Sequence, residues 1–125
     1  MEKKPVYTQN APAALGPYSQ AIDLGDVVFT SGQIPVDPAT GKIPEGVTAQ
    51  AEQSLRNVQA ILEAAGTSMD KVIKTTVFIS DMNTFVDINA VYATFFTEPY
   101  PARSCVEVAR LPKDVMLEVE AIALK

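Results

Sequence analysis

The spacing of apolar residues predicts two helices in this chain. Across Thr48–Ala65, apolar side chains recur every three or four residues, which places them on one face of a helix. Gly66 follows directly, where a left-handed cap is favoured at a helix end. A second helix is predicted over Asn83–Thr97. Its apolar stripe consists of Phe85, Ile88, Tyr92 and Phe95.

Segments rich in β-branched and aromatic residues predict the strands. They span Tyr18–Asp23, Val27–Ser31, Val72–Ser80, Ser104–Leu111 and Met116–Leu124, with a short additional strand near Val6. Turn residues Leu24–Asp26 and Pro112–Asp114 indicate two hairpins, and the prolines and glycines of Gln33–Gly46 indicate a loop. The order β-β-α-β-α-β-β predicts an α+β fold, with one mixed sheet and both helices on one face. We expect residues 1–125 to form a single domain.

The strands do not alternate cleanly between apolar and polar residues. In Val72–Ser80, Ile73, Val77 and Ile79 are expected on one face, whereas Val72, Thr76 and Phe78 are expected on the other. Two helices cover only one face of such a sheet. We therefore expect further copies of the chain to bury the other face in a homo-oligomer.

Composition restricts the possible chemistry. The chain has no histidine and one cysteine, which excludes a Ser-His-Asp triad, a Cys-His pair and an ordinary imidazole-ligated zinc site. The net charge is −5 and no basic run is present, which argues against a nucleic-acid partner. No apolar run is long enough to span a membrane, and the N-terminus lacks a signal-peptide pattern. We expect a cytoplasmic protein.

Two segments carry candidate chemistry. Arg103 enters an apolar strand directly after a proline-stiffened segment, and its planar fork suits a carboxylate. Cys105 shares its face of the strand and is either a pocket residue or a small buried apolar residue. In the last strand, Glu118 and Glu120 share one face with apolar neighbours. Either that face is solvated, or a pocket there uses one carboxylate to orient water.

Several segments together resemble the reactive intermediate deaminase (Rid, or YjgF) family. The resemblance covers essentially the whole chain, with its motifs in order and correctly spaced. The matching segments are Gly16–Tyr18, Thr30–Pro35, Lys74–Phe78, Asn89–Tyr92, Pro101–Ser104, Val106–Pro112 and Glu118–Ala121.

This resemblance implies a chorismate-mutase-like fold, a homotrimer with active sites between subunits, and no metal or organic cofactor. It implies hydrolysis of 2-iminobutanoate and 2-iminopropanoate, by-products of pyridoxal-phosphate enzymes, to 2-oxo acids and ammonium. Arg103 would hold the substrate carboxylate and Glu118 would help to place the attacking water. The remaining pocket residues would be Tyr18, Ser31, Gly32, Asn89 and Cys105.

A hairpin between the last two strands would separate the two principal residues. If Leu111 pairs with Val115, Arg103 and Glu118 lie five residues apart along the ladder, about 16 Å. The sequence therefore predicts a site that draws these residues from two chains. Two other functions remain open: an endoribonuclease or translation inhibitor, and a ligand-binding module without turnover.

Overall fold

The computed structural model describes residues 1–125, which form one six-stranded sheet and two α-helices. In chain order the elements are β1 (Lys4–Val6), β2 (Ala21–Asp23), β3 (Val27–Thr30), α1 (Val47–Ala64), β4 (Val72–Ile79), α2 (Phe85–Tyr92), β5 (Ala102–Glu107) and β6 (Leu117–Leu124). The strands lie in the order β1-β2-β3-β6-β4-β5, and only β4 and β5 run parallel. The expected fold class is confirmed. Neither helix is long and apolar enough to cross a lipid bilayer.

The core lies between the sheet and the helices. On β6, alternate side chains are at most 2% exposed, and they pack with the apolar stripe of α1 in one cluster. The β6 members are Leu117, Val119, Ala121 and Ala123, and the α1 members include Leu55, Val58, Ile61 and Leu62. Burying one such large side chain stabilises the fold by about 1.5–3 kcal/mol. This packing fixes which face of β6 carries Glu118.

The second helix is shorter than its apolar pattern predicts. Its regular part ends at Tyr92, and the chain turns through the next residues, where the hydroxyl of Thr94 donates to the carbonyl of Val91. Two features work against helix here: the Thr94 hydroxyl competes for a backbone carbonyl, and Pro99 disfavours helical geometry in the residue before it. The first two residues of the predicted helix, Asn83 and Thr84, instead belong to a short 3-10 turn that spans Met82–Thr84.

A β-bulge changes the predicted faces of β4. Val72 pairs with Ala123 and Lys74 pairs with Ile122, so Ile73 is an extra residue without its own partner. Val72 is therefore buried on the helix side, while Ile73 is 44% exposed. The predicted faces of these two residues were wrong, because one inserted residue reverses the alternation.

The predicted hairpin between the last two strands is also wrong. Strand β5 pairs in parallel with β4, and β6 pairs with β3 and with the other side of β4. The crossover β4–α2–β5 places β5 parallel to β4 and beside it. Because β6 pairs with the other edge of β4, β4 lies between β5 and β6. Pro112–Asp114 forms a 3-10 turn within this longer connection.

The sheet face opposite the helices carries several apolar side chains. Phe29 and Val106 are each 43% exposed, and Leu124 is 47% exposed. Ile122 and Phe78 are half-buried on the same face, with Ile122 opposite Phe29 and Phe78 opposite Val106. We call this surface, which also carries Glu118 and Glu120, the open face.

Candidate active site

Arg103 lies on the edge strand β5 and is held by side chains of α2. Its Nη1 donates a hydrogen bond to Oδ1 of Asn89 at 2.7 Å. Its Cζ lies 4.7 Å from the ring centroid of Tyr92 and 5.3 Å from that of Phe85, which are cation–π distances. No acidic side chain forms an ion pair with Arg103. The guanidinium therefore retains N–H donors for an external anion.

A cavity of about 430 Å³ opens beside this guanidinium. It is lined by Asn89, Tyr92, Ala93, Tyr100, Pro101 and Arg103. We call Asn89, Tyr92, Arg103 and Cys105 the arginine half-site. Its charge and its planar donors suit a small carboxylate.

Cys105 belongs to this half-site but is not an activated nucleophile. It lies on the same side of β5 as Arg103, opposite Val77, and packs against the core. Burial raises the pKa of its thiol, and the Arg103 charge only partly opposes that effect. The group is therefore a neutral thiol at neutral pH, suited to contacting a ligand and not to attacking it.

Glu118 lies on the open face of β6, against the backbone of Gly32. A Cβ atom added to Gly32 would lie 1.9 Å from Oε2 of Glu118, so only glycine leaves room for the carboxylate. The neighbouring residue, Gln33, holds this approach by exchanging two backbone hydrogen bonds with Val119, at 2.8 and 3.2 Å. The close contact therefore follows from the pairing of this segment with β6.

Ser31 and Tyr18 complete what we call the acid half-site, with Gly32 and Glu118. The Ser31 hydroxyl donates to the carbonyl of Ser19 at 2.6 Å. Tyr18 is 53% exposed and, like Gly32, lines a larger cleft of about 740 Å³. Buried Gln20 fixes the N-terminal arm beside this cleft, because its side chain bonds the backbone of Thr8 and Pro12.

One chain does not bring the two half-sites together. Arg103 pairs with Thr75 on the helix side of the sheet, whereas Glu118 pairs with Phe78 on the open face. Along the ladder they are three residues and two strand spacings apart, about 10 Å in each direction. This separation replaces the five-residue distance expected from a hairpin, and the sheet itself now lies between the two side chains.

The Glu118 carboxyl is harder to ionise than an ordinary glutamate. Burial raises its pKa, and the charge of Glu120 on the same face raises it further. As the pH falls, the carboxylate form of Glu118 is therefore lost earlier than that of a free glutamate. Any step that needs this carboxylate inherits the same dependence.

Glu120→Gln removes the like charge and lowers the pKa of Glu118. We expect the acid limb of the kcat/KM profile for the hydrolysis that the family resemblance implies to move to lower pH. Glu63→Gln, an exposed change on α1, serves as the control and leaves the profile in place. An acid limb that stays fixed or moves to higher pH in Glu120→Gln would contradict the assigned role of Glu118.

Sequence reasoning missed two residues that contact the site. Tyr92 was assigned to an apolar stripe and to a family-like segment but to no pocket role, yet its ring lies under Arg103 and its hydroxyl hydrogen-bonds Thr75 at 2.7 Å. Phe85 was assigned only to the apolar stripe, and its ring lies within 5.3 Å of the same guanidinium. The available signal was spacing, since Phe85 and Tyr92 lie four residues before and three residues after Asn89 on one helical face.

The chain combines an arginine without an acidic partner, beside a cavity, with a half-buried glutamate on the other face of the sheet. No group of three or more cysteine or acidic side chains in the chain could hold a metal ion. Residues 8–125 match the model of the family described as endoribonuclease L-PSP. This chain therefore belongs to that family, also called YjgF or Rid, which confirms the resemblance found in the sequence.

Individual relatives match over nearly their whole length. The 2-iminobutanoate/2-iminopropanoate deaminase of Salmonella typhimurium is 62% identical over 125 residues, 98% of each chain. The crystal structure of Escherichia coli TdcF with bound serine has a TM-score of 0.95 and 59% identity, covering 98% of this chain and 99% of that one. The E. coli YjgF structure has a TM-score of 0.94 and 57% identity, covering 98% of both chains.

Proposed function

We propose that this protein hydrolyses 2-iminobutanoate and 2-iminopropanoate to the 2-oxo acids and ammonium. The observation that carries the proposal is Arg103, a guanidinium without an acidic partner that Asn89 and two aromatic rings hold beside a cavity. Relatives at 60–62% identity over nearly the whole chain are named as deaminases of these two imino acids. A related structure contains serine, a small molecule that also bears a carboxylate.

The reaction depends on positioning the imine and one water molecule more than on a strong acid or base. Arg103 binds the substrate carboxylate, which fixes the neighbouring C=N carbon. Glu118 accepts a proton from one water as the water oxygen bonds to the carbon of the protonated imine and the C=N electron pair moves to nitrogen, forming a tetrahedral amino alcohol. Glu118 then returns that proton to nitrogen. The C–N bond breaks as the hydroxyl oxygen forms the C=O bond, and the hydroxyl proton passes to the departing ammonia, so that the oxo acid and ammonium leave. Orientation and fixed dipoles supply the acceleration, and every step uses only side chains, backbone and water.

We propose that the active enzyme is a homotrimer with each site between neighbouring chains. Two observations support this assembly: the half-sites lie on opposite sides of the sheet, and the open face carries apolar side chains that one chain leaves exposed. Residues 1–125 act as a single domain in each subunit, supported by their one sheet and one core. The activity belongs in the cytoplasm, beside the pyridoxal-phosphate enzymes that release such imines.

The assembly is tested by its mass in solution. Light scattering coupled to size-exclusion chromatography should give about three times the 13.4 kDa chain mass. Phe29→Lys places a charge on the open face and should yield folded monomers without activity, whereas Phe29→Leu should remain trimeric. A wild-type monomer at micromolar concentration, or an active Phe29→Lys monomer, would contradict the trimer.

The activity is tested with a dehydratase that generates the imine. Threonine dehydratase and threonine should release 2-oxobutanoate faster when this protein is present, and the Arg103→Ala variant should give no acceleration. Unaltered release with wild-type protein would overturn the proposed function. Tight binding of 2-oxobutanoate without acceleration would instead identify a ligand-binding module.

The family description favours one other candidate, RNA cleavage. The net charge of −5 and the absence of histidine make this the weaker alternative, because phosphate polymers are repelled on average and no imidazole acid or base is present. RNA binding that weakens steeply with salt, together with cleavage that Arg103→Ala abolishes, would favour this alternative over imine hydrolysis.

A further inference from the structure

A buried hydrogen bond lies directly beneath the arginine half-site. The hydroxyl groups of Thr75 and Tyr92 are 2.7 Å apart, and the two residues are 1% and 6% exposed. The ring of Tyr92 also packs against Phe96, with ring centroids 4.5 Å apart. Burial raises the pKa of Tyr92, so the phenol stays neutral and the pair keeps a proton to share. The ring is therefore fixed at its hydroxyl end as well as along its side.

The fixed ring supports the Arg103 guanidinium. Cζ of Arg103 lies 4.7 Å from the Tyr92 ring centroid, and Nη1 donates to Asn89, one helical turn before Tyr92. Thr75 is also the parallel-strand partner of Arg103. Strand β4 therefore holds both the backbone that carries Arg103 and the ring on which its side chain lies.

We infer that Thr75 and Tyr92 are positioning residues that set the orientation of the Arg103 guanidinium. The inference rests on the proposed function, in which this guanidinium binds the substrate carboxylate. A bidentate contact requires two N–H groups in the plane of the carboxylate. An arginine side chain has several rotatable bonds, so a fixed ring and one amide acceptor restrict it before substrate arrives.

The choice of tyrosine over phenylalanine follows from this role. A phenylalanine would present the same ring face but would lose the hydrogen bond to Thr75. The buried hydroxyl of Thr75 would then have no hydrogen-bond partner, which is costly in an apolar interior. The buried pair thus links the core of the sheet to the orientation of a side chain that faces the ligand.

The experiment compares Thr75→Val, which removes the hydroxyl at nearly constant shape, with Thr75→Ser, which restores it. Thr67→Val is the matched control. Thr67 is also buried, and its hydroxyl donates to the carbonyl of Leu124, the last residue of β6. Tyr92→Phe removes the same bond from the other side and serves if Thr75→Val fails to fold. Two readouts are measured: the NMR signal of the Arg103 side-chain NH, and inhibition by 2-oxobutanoate.

In the wild type the Tyr92 ring should shield the Arg103 NH and shift its signal upfield. Thr75→Val should move that signal towards the position of a solvated arginine and raise the inhibition constant about 3- to 10-fold, with KM affected more than kcat. Thr75→Ser should restore both values, and Thr67→Val should change neither.

Unchanged values in Thr75→Val, or equal changes in Thr67→Val, would overturn the positioning role. If the wild type neither hydrolyses imines nor binds 2-oxobutanoate, the proposed function fails. The NMR comparison still decides whether Thr75 and Tyr92 orient Arg103.

Discussion

Arg103→Ala should lower kcat/KM for 2-iminobutanoate hydrolysis by about 10²–10⁴-fold, because it removes two charge-assisted hydrogen bonds of about 1.5–3 kcal/mol each. The loss should be large because no other cation faces the cavity beside Asn89 and Tyr92. Steady-state kinetics with enzymatically generated imine measure it. The melting temperature should change little, since Arg103 is exposed and forms no ion pair in the chain.

Two further variants separate geometry from charge. Arg103→Lys keeps the charge but loses the planar fork, so it should recover only a small part of the activity. Arg56→Ala is the matched control, because Arg56 also lies near an aromatic ring, 6.0 Å from Phe95, but already pairs with Glu52. Wild-type activity in Arg103→Ala would show that the carboxylate is bound elsewhere.

Gly32→Ala should lower kcat by about 10²–10³-fold, the range expected when a positioned acid or base is lost. The added methyl carbon would lie 1.9 Å from Oε2 and 2.8 Å from Cδ of Glu118, so the carboxylate must rotate away. Gly32 has no left-handed backbone angle, and the atoms it meets are the end of a flexible side chain. We therefore expect near-normal thermal stability with a defective active site.

Gly25→Ala provides the opposite pattern for comparison. Gly25 has φ of +103° and no atom within 4 Å of the added carbon, so alanine there is strained but displaces nothing. It should lower the melting temperature and leave kcat intact. A normal kcat in Gly32→Ala would show that the position of the Glu118 carboxylate does not matter for catalysis.

Local periodicity was sufficient to predict the order of the elements. The three-and-four spacing of α1 and the β-branched runs of the strands are properties of neighbouring residues, and the structure retains both. Pairing between strands is a long-range property, so nothing local shows that β5 pairs with β4 instead of β6. The bulge at Ile73 could not be predicted from the sequence either, because a bulged apolar residue does not differ in type from a paired one.

The site shows a similar division. In the sequence, Arg103 is conspicuous because its guanidinium follows a proline-stiffened segment. Glu118 is conspicuous because it is an acidic residue among apolar neighbours, and the family resemblance gave both residues roles. Thr75 and Tyr92 did not stand out, because a hydroxyl pair between a strand and a helix leaves no periodic trace. Placing the half-sites on opposite sides of the sheet required the pairing of β4 with both neighbours.

A mixed assembly tests whether Arg103 and Glu118 of different chains form one active site. Arg103→Ala and Glu118→Gln chains carrying different tags are co-expressed in equal amounts, and trimers with both tags are purified. Each parent alone should be inactive. In every trimer that carries both tags, one of the three inter-subunit sites combines an intact Arg103 with an intact Glu118, so about one third of wild-type activity should return. Mixed trimers as inactive as either parent would show that both residues must come from the same chain.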